Sequence, residues 1–176
     1  MKTSGDKKGL RTTGVPAAEE LEVSPGYSSP EALAEGPKAV IECTQDIPCN
    51  PCELACKKKA IRVGDPITNL PAFFADRCDG CGHCIPVCPG QAVFRVDLAY
   101  QKGKATVSLP YEFLPIPKKG DLVKGVNRAG EVVCDAEVLK IQKPKSFDHT
   151  TVITISVPID FGMEVRSIKR LLRVSW

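Results

Sequence analysis

Long apolar runs are missing from this sequence. No stretch of its 176 residues approaches about eighteen uncharged apolar positions. The N-terminal residues MKTSGDKKGLRTTGVPAAEE also lack the apolar core of an export signal, so neither export nor a membrane span is expected and the expected location is cytoplasmic. Nucleotide fingerprints are missing too. Neither G-x-G-x-x-G nor G-x4-G-K-[ST] occurs, and no nucleophile elbow or metal-hydrolase motif is present, so the chain is not expected to be an enzyme by itself. Excess charge is small: a formal +3, without an RNP-like aromatic motif, gives no reason to expect nucleic acid as a partner.

Cysteine, by contrast, is abundant. Eight of the nine cysteines fall between Cys43 and Cys88, and Cys134 stands apart. An odd count argues against a full disulfide set, and in a reducing cytosol clustered cysteines read as metal ligands or redox groups. An apolar content of 43% is high enough for a packed interior, in one ordinary domain or two small ones.

The cysteines repeat. Setting CNPCELACKKKAIRV, from Cys49, against CGHCIPVCPGQAVFRV, from Cys81, matches Cys49 with Cys81, Cys52 with Cys84 and Cys56 with Cys88, all at an offset of 32 residues. Beyond the last cysteine, Ala60 and Ile61 fall opposite Ala92 and Val93, apolar pairs suited to a core shared by two copies of one unit.

The second copy is complete. Cys78, Cys81, Cys84 and Cys88 are spaced C-x2-C-x2-C-x3-C and followed by Pro89, the run that holds [4Fe-4S] clusters, in which the fourth thiolate ligates the neighbouring cluster. On that logic Cys43, Cys49, Cys52 and Cys88 hold one cluster, and Cys78, Cys81, Cys84 and Cys56 hold the other. Zinc is the competing reading, because paired C-x2-C knuckles also suit it; two interleaved runs plus Pro89 favour iron and sulfur. The first copy departs from the pattern twice. Cys43 precedes Cys49 by six residues where the second copy uses three, and Lys57 stands where proline is expected. Either the longer loop bulges and Cys43 remains a ligand, or the site holds an incomplete [3Fe-4S] core. Lys57, Lys58 and Lys59 either raise the potential of the adjacent cluster or form a plain solvated face. His83 is expected beside the site or at the surface, since four thiolates already satisfy it.

Outside the cysteine region, residues 1–38 are rich in turn formers and charge, with one short helix expected from Ser29; such an arm is a tail or a partner-binding strap. From Val96 onward β-branched stretches such as KATVSL, EVVCDAEVLKIQ and TTVITISVP alternate with turns, which predicts a small all-β barrel or sandwich. Alternation puts Cys134 on one face with Val132, as a small buried apolar residue. FGMEVRSIKRLLRVSW reads as a basic amphipathic helix.

Residues 39–97, through CDGCGHCIPVCPGQAV and its weaker copy, resemble bacterial-type dicluster ferredoxin domains. More loosely, GPKAVIECTQDIPCNPCELAC, the arm LRTTGVP and the following β region resemble small iron–sulfur subunits of flavin-dependent dehydrogenases that serve proline, hydroxyproline and related amino acids in anaerobes. The resemblance implies an α+β fold: an extended arm over 1–38, a dicluster ferredoxin-like domain over 39–97, a small β domain over 98–160 and a helix over 161–176. It also implies two [4Fe-4S] clusters on this chain, with FAD or FMN on partner subunits. The expected assembly is a hetero-oligomer with flavoprotein dehydrogenase subunits and, as an optional further partner, a [2Fe-2S] subunit. The expected role is a relay of single electrons. A free diffusible ferredoxin-like carrier and a metal-stapled structural or regulatory subunit are the alternatives.

Overall fold

The computed structural model describes residues 9–171. Three short helices come first: α1 (Leu10–Thr13), α2 (Ala18–Glu22) and α3 (Pro30–Ala34). The start of α3 is encoded locally. Ser29 Oγ accepts from the Ala32 amide, and Pro30 sits in the first turn, where a missing N–H leaves no bond unmade. Helices of five residues or fewer do not persist alone in water, so their order comes from contact with the rest of the chain. Leu33 is fully buried, Ser28 Oγ donates to the Ala39 carbonyl, and the Pro25 carbonyl accepts from the Phe73 amide. The arm expected as an extended strap is therefore, in its described part, folded onto its own chain, because Leu21 and Leu33 find apolar surface there. Residues 1–8 lie outside the described residues.

After the arm come β1 (Lys38–Ile41), α4 (Pro51–Ala55) and the paired two-residue strands β2 (Ile61–Arg62) and β3 (Ala72–Phe73). The long strands follow: β4 (Val93–Gln101), β5 (Lys104–Tyr111), β6 (Leu122–Val126), β7 (Val132–Gln142), β8 (Thr151–Pro158) and the short β9 (Ser167–Ile168). Seven strands form one antiparallel sheet in the order β1-β4-β5-β8-β7-β6-β9. Its first pair runs from Lys38 opposite Val96 to Ile41 opposite Val93.

Two apolar cores lie against this sheet. One gathers Leu33, Val40, Phe94, Val96, Leu109, Val138, Ile153 and Ile155. The other gathers Ala39, Ile41, Ile61, Val63, Ile85 and Val93 around the cysteines. Because strand side chains alternate, β1 sends Val40 into the first core and Ala39 and Ile41 into the second, and β4 likewise divides Val96 from Val93. The boundary expected between residues 97 and 98 accordingly falls inside β4. The strands expected to form a separate β domain share one sheet with the cysteine-bearing half, joined by a continuous ladder with no linker.

The helix expected over 161–176 is not formed in its described part. A 3-10 turn ends at Phe161, Val165 and Ile168 are buried, and Gly125 and Val126 pair with Ile168 and Ser167. The unpaired edge of β6 takes up this segment as a strand before a helical ladder can form. Residues 172–176 lie outside the described residues. Cys134 packs against the first core on the same side of β7 as Ala136 and Val138, but Val132 is 48% exposed. A register shift between Gly125 and Val126 interrupts the alternation that would have paired the two.

Candidate metal centre

The duplication seen in the cysteines extends to the backbone. After Cys56 the Lys59 amide donates to the Cys56 carbonyl, Lys59 takes a φ of 52°, and the Ala60 amide donates to Cys56 Sγ at 3.2 Å. After Cys88 the same happens 32 residues on: Gln91 bonds the Cys88 carbonyl with φ at 51°, and the Ala92 amide donates to Cys88 Sγ at 3.4 Å. A left-handed backbone at Lys or Gln carries strain. Here it turns the next N–H toward sulfur.

Two cavities contain the eight cysteines. Cys43, Cys49, Cys52 and Cys88 line one, which encloses about 400 Å³ of space partly open to solvent. Cys56, Cys78, Cys81 and Cys84 line the other, of about 390 Å³. In each, three thiols come from one copy of the repeat and the fourth from the other. The longer loop after Cys43 is accommodated as wall: Gln45 and Ile47 line the first cavity, and Cys49 is held by its amide bond to the Ile67 carbonyl. Among the described residues, no three His, Cys, Asp or Glu side chains converge on a point close enough to hold a single metal ion.

The loop from Cys78 to Cys81 is fixed on three sides. Asp79 Oδ1 accepts from the Cys81 amide at 3.2 Å, Lys58 reaches Asp79 at 3.7 Å, and Lys38 Nζ donates to the Cys78 carbonyl at 3.5 Å. Gly80, at φ 69°, is pressed against the arm; a Cβ there would stand 2.3 Å from the Pro37 carbonyl oxygen. Cys52 and Cys84 are the deepest sulfurs. Burial pushes the Cys52 thiol up to about 11, with the nearby Cys88 adding to it, and pushes Cys84 up to about 12, with Cys78 adding to it. Neither forms a thiolate without a positive group to offset the lost hydration.

The cavities differ in charge. Besides its four thiols, the cavity of Cys43, Cys49, Cys52 and Cys88 is lined by no charged side chain. The other is lined by Lys58, Asp79, His83 and Arg95. Arg95 Nη1 donates to Ser108 Oγ at 3.3 Å, while its Nε is buried without a hydrogen-bond partner. Arg95 was not singled out by sequence reasoning, although the repeat carries a signal for it: the equivalent position in the first copy is the apolar Val63.

Glu42, next to Cys43, was also missed. Its carboxylate accepts from Arg128 Nε at 2.8 Å, Arg128 Nη2 at 2.6 Å and Arg166 Nε at 2.6 Å, tying the first cavity to the β6–β7 turn and to the residues before β9. Burial alone would raise this carboxyl, but the hydrogen bonds from Arg128 and the charges of Arg166 and Arg128 hold it below the usual range. Only long-range contacts of 86 and 124 residues create this cluster, so no local pattern announces it. Of the three lysines after Cys56, Lys58 faces the second cavity, while Lys57 and Lys59 face an open groove.

Two sulfur-rimmed cavities, built from a duplicated cysteine run on the end of an antiparallel sheet, define a protein with an iron–sulfur domain of the ferredoxin type. Residues 70–93 match the family described as a 4Fe-4S binding domain, which supports an iron–sulfur site in this segment. That segment is the second copy of the repeat. The chain is also similar to Protein Pixie of Drosophila melanogaster, 29% identical over 124 residues that cover 59% of this chain and 20% of that protein. It thus spans about a fifth of that relative's length. No solved structure matches the chain. Among the described residues no helix is long and apolar enough to cross a membrane.

Proposed function

We propose that this chain is the electron-transfer iron–sulfur subunit of a flavin-dependent oxidoreductase complex of the amino-acid dehydrogenase type, relaying single electrons through two [4Fe-4S] clusters. The observation that carries the reading is the pair of cavities, each rimmed by four thiols and each taking its fourth from the opposite repeat. The donor set fits the group. Four cysteines line each cavity, the number of thiolates that a [4Fe-4S] cluster takes. The orphaned Arg95 Nε supplies a buried positive group beside thiols that must ionise.

Cys43, Cys49, Cys52 and Cys88 would hold one cluster, and Cys56, Cys78, Cys81 and Cys84 the other. Such clusters supply one-electron oxidation and reduction with little movement of their ligands. The protein's part is to hold and tune. The Ala60 and Ala92 amides donate to the two exchanged sulfurs, Ile41, Ile61, Ile85 and Val93 keep water from the inner walls, and the crossing of Cys56 and Cys88 fixes the spacing between sites. Flavin, as FAD or FMN, belongs on partner subunits in this reading, with a [2Fe-2S] subunit as an optional further member.

Anaerobic purification from native cells tests both levels. About eight iron atoms per chain, equal sulfide and a co-purifying flavoprotein are expected. Colourless material carrying zinc would sink the cluster assignment, and a chain that emerges loaded but alone would sink the complex.

A further inference from the structure

The open groove beside the second cavity is lined by Lys57, Lys59, Arg62 and Arg77, with Leu54 76% exposed at its rim. It encloses about 960 Å³, open to solvent. One carboxylate, Glu53, also lines the groove, and a second, Asp76, lies next to Arg77 in the chain. Glu53 is already engaged, accepting from the Val63 and Gly64 amides at 3.0 and 3.1 Å, and Asp76 approaches Arg77 at 3.9 Å. Arg77 has Asp76 and the Phe74 ring, 4.5 Å away, as partners, whereas Lys57, Lys59 and Arg62 make no ion pair among the described residues.

The floor of this groove has a particular position. Cys56 and Ile61 line both the groove and the cavity of Cys56, Cys78, Cys81 and Cys84, so those two side chains separate a docked molecule from that site. The repeat supplies an internal control. At the equivalent positions of the second copy, Lys57 becomes Pro89, Lys59 becomes Gln91 and Arg62 becomes Phe94, although the backbone around Cys56 and Cys88 is the same. The basic charge is therefore not a requirement of the sulfur geometry. Three of the four cations belong to the first copy, and Arg77 stands just before the first cysteine of the second.

We infer that this groove is the docking surface for a small acidic redox protein, which exchanges single electrons with the Cys56 site. The inference rests on the relay reading above. Cys56, Cys78, Cys81 and Cys84 would hold the accepting cluster: one electron would pass to it from the carrier's reduced centre, the carrier being oxidised by one and the site reduced by one, with no bond or proton moving. Opposed charge steers the encounter and raises its rate at low salt, and Leu54 gives the contact an apolar anchor.

The test is stopped-flow reduction of the cluster-loaded chain by a chemically reduced small acidic ferredoxin, read at low and high ionic strength. Lys57→Glu with Arg62→Glu is expected to slow the bimolecular step by about tenfold or more at low salt and to flatten its salt dependence. The milder Lys57→Gln with Lys59→Gln, which installs at 59 the residue found at 91, should give a smaller loss of the same kind. Iron content and reduction by dithionite should stay at the wild-type level in both. A rate that survives both variants overturns the docking site, as does an equal loss from Lys118→Glu with Lys119→Glu on the distant β5–β6 connection. So does displacement of the carrier by single-stranded RNA, which would assign the groove to nucleic acid. Wild-type protein without reducible iron would overturn the relay reading itself, and the docking inference with it.

Discussion

Replacing Glu42 by Gln should destabilise the protein far more than the loss of one surface contact would. The side chain keeps its size and one carbonyl oxygen, but the negative charge facing two guanidinium groups disappears. Glu42 and Arg166 are 10% and 5% exposed and Arg128 is 19% exposed, so water does not take over. Removing one partner of a buried pair strands a charge and costs about 3–5 kcal/mol, whereas an exposed pair contributes about 0–1 kcal/mol. For a chain of this size each kcal/mol moves the melting temperature by about 2–4 °C, so a drop of about 6–20 °C is expected. The assay is anaerobic thermal unfolding of cluster-loaded protein followed by circular dichroism, with Lys124→Gln, which breaks the exposed pair to Asp135, as the control. Arg166→Met added to Glu42→Gln should recover part of the loss, because it removes the stranded charge. A fall of less than about 2 °C in the single variant would refute the argument that this network joins the first cavity to the sheet.

On the two-cluster reading, Arg95→Met should make the cluster assigned to Cys56, Cys78, Cys81 and Cys84 harder to reduce by about tenfold, or about 59 mV for one electron, and leave the other unchanged; a redox titration followed by EPR that shows equal shifts, or none, would contradict it. Cys84→Ser should remove one cluster's share of the iron and destabilise the chain, since metal binding and folding are coupled; unchanged iron content would break the ligand assignment. Gly80→Ala forces a Cβ into the Pro37 carbonyl at a left-handed φ, so a loss of at least about 1 kcal/mol and weaker retention of iron are expected in chemical denaturation, and wild-type stability would show that the arm is not pressed on this loop. Cys52 and Cys84, pushed up to about 11 and about 12, are protonated at neutral pH and must release those protons when a cluster binds. Raised thiol values therefore oppose loading most at low pH, and reconstitution of cluster-free chain with iron and sulfide should improve from about pH 6.5 to about pH 8.5; a flat profile would refute it.

Much of the cysteine geometry was legible because it is local. Spacings of two and three residues fix which sulfurs share a loop, and the offset of 32 residues shows which loops are copies. The short helix after Ser29 was legible for the same reason. Other features were hidden because they are decided at long range. That β1 and β4 carry both cores follows from the pairing of Lys38 with Val96, which no window of sequence contains. The stretch around Val165 and Ile168 has apolar spacing compatible with a helix, yet the free edge of β6 claims it as a strand. The arm was read as a tail or a partner-binding strap, because no local pattern shows that Leu21 and Leu33 are buried on this chain itself.

Comparison of the two copies separates what the sulfur sites demand from what is free to vary. The N–H to Sγ contacts at Ala60 and Ala92 and the left-handed residues at Lys59 and Gln91 are retained, because a sulfur-rimmed cavity fails if the backbone turns the wrong way. Charge is not retained: Lys57, Arg62 and Val63 in one copy stand against Pro89, Phe94 and Arg95 in the other. Both kinds of asymmetry favour the same site. The external cations of the first copy and the internal Arg95 of the second flank the cavity of Cys56, Cys78, Cys81 and Cys84, because Cys56 crosses between copies. A duplicated unit with exchanged ligands can thus make two chemically similar sites electrostatically unequal without disturbing the geometry of either. On the two-cluster reading, Arg95, at the wall of one cavity and not of the other, favours added negative charge at the site that shares Cys56 with the basic groove.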